Sequence, residues 1–177
     1  MKTGEDFFTW VGKCITSWAN VEERLFAITM KSIGSTKTRA AIIFYSTPTI
    51  GTRLRLTDEL VRNVLPPREK KDGGKDHPDV KIWDDLRKEI GDLLPIRNRI
   101  AHQPVKDITY PALSAVTALF DQMTWYQSHV SEAEMLRGRN DDAKPIGVVE
   151  LSQHRIAVEL ITAKLDLFIS HILSKYA

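Results

Sequence analysis

Residues 4–33 read GEDFFTWVGKCITSWANVEERLFAITMKSI. Within them Phe7, Val11, Cys14, Trp18, Val21, Leu25 and Ile28 alternate spacings of four and three. At 3.6 residues per turn that spacing lines all of them along one stripe, which predicts a long amphipathic helix. Glu22, Glu23, Arg24 and Lys31 fall off the stripe. Gly34 and Ser35 supply a stop. A helix this long with one apolar face needs other helices to cover it. The fold class follows: mostly all-α, an antiparallel up-down bundle of four to five helices.

The chain downstream supplies the partners. A short helix is predicted at 37–46, then a break at Pro48, because the residue before a proline is pushed away from helical geometry. A second piece at 48–65 carries Ile50, Leu54, Leu60, Val61 and Val64. Residues 66–79, PPREKKDGGKDHPD, hold prolines, glycines and mixed charge, and read as a mobile, solvated connector. Ile82, Leu86, Ile90 and Leu93 restore the helical period from Val80 onward. Pro95 must either kink that helix or begin a new one, and 96–103 reads as helix until Pro104. Residues 104–150 read as an insertion with a small hairpin. Its stretch 112–120 fits either state. Residues 123–130 alternate partly like a strand, 131–137 resemble a short capped helix, and 140–145 a loop. In the last segment Ser152 is a candidate N-cap. Ile161, Leu165, Phe168 and Ile172 form one stripe there, and Ile156, Leu160, Ala163 and Leu167 a second beside it. So wide an apolar face calls for partners on two sides: other helices of the bundle and a second subunit.

Composition narrows the function. The 177 residues make one domain by the usual prior and can bury a core without staples. Hydrophobic residues at 42% and charged residues at 27% exclude a disordered chain. Lys and Arg total 25 against 23 for Asp and Glu, so the net charge of +2 excludes a broad nucleic-acid coat but leaves room for a local basic site. The single cysteine, Cys14, excludes an intramolecular disulfide and fits a reducing compartment. It sits on the apolar stripe and reads as a core residue. No apolar run reaches the roughly 20 residues of a membrane span. The acidic start, Met-Lys-Thr-Gly-Glu-Asp, does not read as a secretory signal. The expected location is the cytoplasm, with no membrane association.

One string carries chemistry: Arg97-Asn98-Arg99-Ile100-Ala101-His102. On a helix Asn98 and His102 are one turn apart and share a face. Arg97 lies about 140° around from His102. Either a long arginine bends part of the way, or a two-fold axis brings Arg97 of one chain to His102 of another. A plainer reading is also available. Arg97 would pair with Asp92 or Glu89, and His102 would cap its helix C-terminus.

The string resembles the signature of the HEPN family (higher eukaryotes and prokaryotes nucleotide-binding): Arg, often Asn next, then His four to six residues on. The first helix, with Trp18-Ala19-Asn20-Val21-Glu22, also looks like the opening of such proteins. The resemblance covers roughly 4–103 and 152–175, within a single HEPN-like domain of residues 1–177. It implies a metal-independent endoribonuclease without a cofactor, often a toxin or phage-defence effector, whose motifs face each other across a homodimer cleft. His102 would act as general acid or base on the ribose 2′-hydroxyl or the leaving 5′-oxygen. An ordinary imidazole, titrating near 6.5, suits that work. Arg97 would hold the scissile phosphate and its developing charge. Asn98 would orient the histidine or a phosphate oxygen, Arg99 would make a flanking phosphate contact, and Glu22 would be a possible accessory acid. The implied partners are RNA, a second copy and an antitoxin protein. The alternative is a non-catalytic dimeric nucleotide- or RNA-binding or scaffolding module of the same fold. A restart at Pro95 would also aim the first-turn amides near Ile96 to Asn98 at a phosphate.

The remaining candidates favour structural roles. Trp10, Trp18 and Trp83 read as core or interface anchors. Trp125 and Tyr126 suit hairpin packing better than base stacking. His77, His129, His154 and His171 lack metal-ligand spacing, so no metal site is expected. No glycine-rich phosphate loop, GxSxG or HExxH is present.

Overall fold

The computed structural model describes the backbone of residues 4–66, 77–102, 105–110, 113–119 and 146–176, and the side chains of these except 4–6 and 105–119. Most of the connector expected at 66–79 lies outside the described residues. So do the strand, helix and loop expected at 123–130, 131–137 and 140–145, with Trp125, Tyr126 and His129.

Five α-helices and one hairpin make up the described chain, an all-α bundle with a small β insertion. Helix α1 spans Gly4–Ser32, as the stripe predicts. It stops at Gly34, whose φ of 54° is open to glycine at no steric cost. Helix α2 spans Lys37–Tyr45, with Thr36 as N-cap. Helix α3 spans Ile50–Val64. Its start is fixed by a reciprocal cap: the Thr52 N–H donates to Thr49 Oγ1 at 3.2 Å, and the Thr49 N–H to Thr52 Oγ1 at 3.1 Å. Helix α4 spans Pro78–His102. Strands β1, Val105–Tyr110, and β2, Leu113–Leu119, pair antiparallel from Val105 opposite Leu119 to Ile108 opposite Val116, with a register shift before Tyr110. The stretch that fitted either state is thus a strand, consistent with the β-branched residues of both segments. Helix α5 spans Val148–Leu167 and runs on into a π turn, Phe168–Ile172, and a short 3-10 turn, Leu173–Lys175.

The chain forms two compact units. One comprises Trp18–Leu94 and Val158–Ala177. Its core gathers Val21, Leu25 and Ile28 of α1, Phe44 of α2, Val61 of α3, Trp83 and Ile90 of α4, and Leu165 and Phe168. Polar links record the directions of its helices. Glu22 meets Arg53 and Thr29 meets Thr57, so α1 and α3 run the same way. Asp58 meets Arg87 while Arg62 meets Asp84, so α4 runs against α3. The Tyr176 hydroxyl donates to Asp79 and Lys164 to Glu89, so the last segment runs against α4. These directions match up-down order, in which each short connection returns the chain alongside itself. The Thr29–Thr57 hydroxyl pair, 3.0 Å apart and fully buried, satisfies two polar groups that the core would otherwise strand.

The other unit comprises Met1–Ser17 and Pro95–Ala157. Phe7, Cys14, Ile100, Ile146 and Leu151 are its buried core, with Trp10, Val11, Ile96 and Val148 packed against them. Cys14 is fully buried, as its place on the stripe predicts, and its thiol lies 3.3 Å from the Leu151 carbonyl.

Two expectations are corrected and one open alternative, at Pro95, is decided. Ile82 is 42% exposed, and Val80 and Trp83 join Leu86 and Ile90 in the core instead. Ile82 lies at the edge of the stripe, and bulkier Trp83 one position on takes the buried place. Ser152 does not open the last helix. Glu150 does: its carboxylate accepts the Gly147 N–H at 3.0 Å, an acidic group on the positive end of the helix. Helix α4 is continuous through Pro95. The amides of Ile96 to Asn98 are therefore helix-interior groups, and the outward-pointing phosphate site of a restarted helix is absent.

Pro95 leaves the Gly91 carbonyl without its i+4 donor, since proline has no N–H. A helix-interior proline costs roughly 3 kcal/mol relative to alanine. Pro95→Ala is expected to stabilise the protein by about 1–3 kcal/mol, read as a rise in the urea midpoint with an unchanged slope.

Candidate functional site

The Arg97–His102 string occupies the last turns of α4. Ile100 fixes its orientation, because it is buried in the core with Phe7 and Leu151. Asn98 and His102 are each about 160° around the helix from Ile100. Both are exposed, side by side on the solvent face. Arg97 and Arg99 flank Ile100 and are half-buried. The Arg97 guanidinium donates from Nη1 to Asn98 Oδ1 at 3.3 Å. That bond holds the Asn98 carbonyl oxygen toward Arg97 and leaves its NH2 group as a donor for something else. The structure thus brings Arg97 to Asn98, and Asn98 to the face of His102. It keeps Arg97 and His102 on different sides of one continuous helix.

Glu22 is held elsewhere. Its carboxylate forms a 2.6 Å ion pair with Arg53, and both side chains are mostly buried. Arg53 also donates to the Thr47 carbonyl at 3.1 Å and lies over the Phe44 and Tyr45 rings. Glu22 therefore anchors the α2–α3 turn. Glu89, a partner considered for Arg97, takes both its oxygens to Lys164 Nζ at 2.7 Å.

Sequence reasoning missed a cationic group around Trp10. Lys13 Nζ sits 4.7 Å from the Trp10 ring centre and the Arg155 guanidinium 5.4 Å from it. Lys13 is legible as the i+3 neighbour of Trp10 on α1, but Arg155 comes from α5 and only folding brings it there. Among the described residues no group of three His, Cys, Asp or Glu side chains is placed to hold a metal ion.

Comparisons with protein-family models, with curated proteins and with solved structures found no match. The functional reading of this site therefore rests on its own residues and on the resemblance of their spacing.

His154, on α5, is 3% exposed. Burial alone pushes its pKa down to about 4, from an ordinary 6.5. The folded protein keeps this imidazole neutral while the unfolded chain protonates it below about pH 6.5. Stability is then fully present above pH 6.5 and falls as the pH drops toward 4. The whole loss is about 3 kcal/mol. Urea titrations between pH 7 and 4 should show this decline, and His154→Phe should flatten that part of the profile. An identical slope in both proteins would remove His154 as the cause.

Proposed function

We propose that the protein is a metal-independent endoribonuclease of HEPN type, acting in the cytoplasm as a toxin or phage-defence effector. The observation that carries this reading is the Arg97-Asn98-x3-His102 string at the exposed end of α4, with Asn98 and His102 on one solvent face. The site is composite in this reading. Arg97 and His102 are about 140° apart on one helix, so Arg97 of one copy serves His102 of a second across a two-fold axis.

The chemistry uses no group beyond these side chains and the RNA. One imidazole, neutral, takes the proton of a ribose 2′-hydroxyl. The 2′-oxygen attacks the adjacent phosphorus, and the P–O5′ bond breaks. The departing 5′-oxygen takes a proton from the imidazolium so formed. The products are a 2′,3′-cyclic phosphate and a 5′-hydroxyl. Arg97 holds the non-bridging oxygens as their charge grows. Asn98, its carbonyl occupied by Arg97, presents its NH2 to the same phosphate. Arg99 lies half-buried beside them and adds a flanking contact. An antitoxin protein that covers this face would silence it.

The test is direct. The purified protein is incubated with a mixed RNA pool in excess chelator, and product ends are mapped. Cleavage with 2′,3′-cyclic phosphate ends, on RNA and not on DNA, is the expected result. Binding of RNA with no product at any concentration or pH would favour the non-catalytic dimeric RNA-binding module. Neither binding nor cleavage would remove both.

A further inference from the structure

Helix α4 and the end of α5 enclose a groove of about 500 Å³, and every residue that lines it belongs to one compact unit. Leu86, Phe168 and Ile172 give it apolar walls, and Leu86 and Phe168 are buried. Ile82 and Leu167 stand at its edges, 42% and 59% exposed. A concave apolar site of this volume, with a few converging polar groups, is the usual form of a small-molecule site. The backbone is unusual at the same place. The Leu173 N–H donates to the Phe168 carbonyl five residues back, which makes the π turn of Phe168–Ile172. Such turns give up regular helical bonding and frequently mark functional sites. This one supplies Phe168, His171 and Ile172 to the groove.

The polar rim decides what fits. Lys164 is the one cation among the lining residues, and both Glu89 oxygens already hold it at 2.7 Å. Asp85 is exposed and has no partner among the described residues. Lys81 and Lys88, on the turns beside it, do not line the groove. The Ser170 hydroxyl donates to the Asp166 carbonyl at 2.8 Å, so it accepts from His171 Nδ1, also at 2.8 Å. The ring proton then sits on Nδ1, and Nε2 is left as an acceptor. The rim thus offers a spare carboxylate and a spare imidazole acceptor, which call for positive charge and N–H donors. We propose that the groove binds a small amphiphilic amine. Its apolar body lies on Leu86, Phe168 and Ile172, and its ammonium meets Asp85. An anionic ligand would meet a like charge at Asp85, and a neutral one would leave that carboxylate unpaired. The stretch of α4 that lines the groove, Ile82 to Glu89, rises about 10 Å, the reach of a chain of about eight carbons. This site is read from α4 and the end of α5 and stands apart from the ribonuclease proposal.

Isothermal titration of the full chain with octylamine, octanol and octanoate tests it, at about pH 8, where the amine is charged. Octylamine is expected to bind saturably, about fivefold tighter than octanol, with octanoate weakest. Asp85→Asn is expected to erase the preference for the amine while octanol still binds. Asp85→Lys is expected to invert the order, so that octanoate binds best. Both variants should fold as the wild type does, because Asp85 is exposed. Ile82→Trp adds bulk at an exposed edge of the groove and should weaken all three ligands by at least about fivefold, with a urea midpoint close to wild type. No saturation up to about 5 mM, equal binding of all three ligands, or an amine preference that survives Asp85→Asn overturns the proposal. So does binding that Ile82→Trp leaves unchanged. None of these results depends on whether the protein cleaves RNA.

Discussion

His102→Ala is expected to lower the rate of RNA cleavage by about 10²–10⁴-fold, the usual contribution of a positioned general acid or base. Its folding should not change, because His102 is exposed at the last residue of α4 and outside the core. That separation is what makes the variant informative. A loss of activity with wild-type urea midpoint and helix content assigns the effect to chemistry. Arg97→Ala should cost a comparable 10²–10³-fold, roughly that of one transition-state donor. Lys at 97 should not restore it, because a lysine offers one point charge where the guanidinium offers a planar fork. The separation of Arg97 and His102 around α4 allows a sharper experiment. Equal amounts of Arg97→Ala and His102→Ala chains, each nearly inactive alone, are mixed and allowed to exchange. If Arg97 of one copy serves His102 of the other, half the dimers are mixed and each holds one intact site. About a quarter of wild-type activity then returns. If both residues serve a site within one chain, every site stays broken and nothing returns.

What the sequence disclosed depended on how local the deciding physics was. The stripe of α1 was legible to the residue because period and burial coincide over many turns. Phe7, Cys14, Trp18, Val21, Leu25 and Ile28 are all buried where they were expected. The two stripes of α5 were legible too, but not which of them the bundle would cover, since both are apolar. The ends of helices were less so. Ser152 is a plausible N-cap by residue type, but the helix opens at Val148, where the Glu150 carboxylate reaches the Gly147 amide. Pro95 left two local outcomes open, and packing of Ile96 and Ile100 against the Phe7–Leu151 core accompanies the continuous one. The ion pair that occupies Glu22 was invisible, because Arg53 is 31 residues away and nothing local marks the two as partners. The candidate site was the opposite case. Its spacing can be read off six consecutive residues, and the helix then places Asn98 and His102 together as that spacing requires.

The largest loss of stability should come from Trp83→Ala, at about 3–5 kcal/mol. Trp83 is fully buried and is the largest of the fully buried side chains. Its ring packs on Phe168 with centres 5.2 Å apart, and its Nε1–H donates to Asp58 Oδ1 at 2.9 Å. Truncation therefore opens a cavity and removes a donor from a mostly buried carboxylate in one step. The two costs separate experimentally. Trp83→Phe keeps most of the packing and loses only the N–H. Asp58 still holds Arg62 at 3.0 Å, so its charge stays compensated. The expected cost of Trp83→Phe is about 1–2 kcal/mol, that of one hydrogen bond to a charged group. Urea unfolding followed by far-ultraviolet circular dichroism measures both without relying on tryptophan emission. Near-equal losses for Phe and Ala would mean that the Asp58 bond, rather than packing, carries this residue. A Trp83→Ala loss below about 1 kcal/mol, the level of a surface substitution, would contradict its place in the core. The same core orders Leu165 and Phe168 at the end of α5. A chain loosened at Trp83 should therefore also lose order at the end of α5.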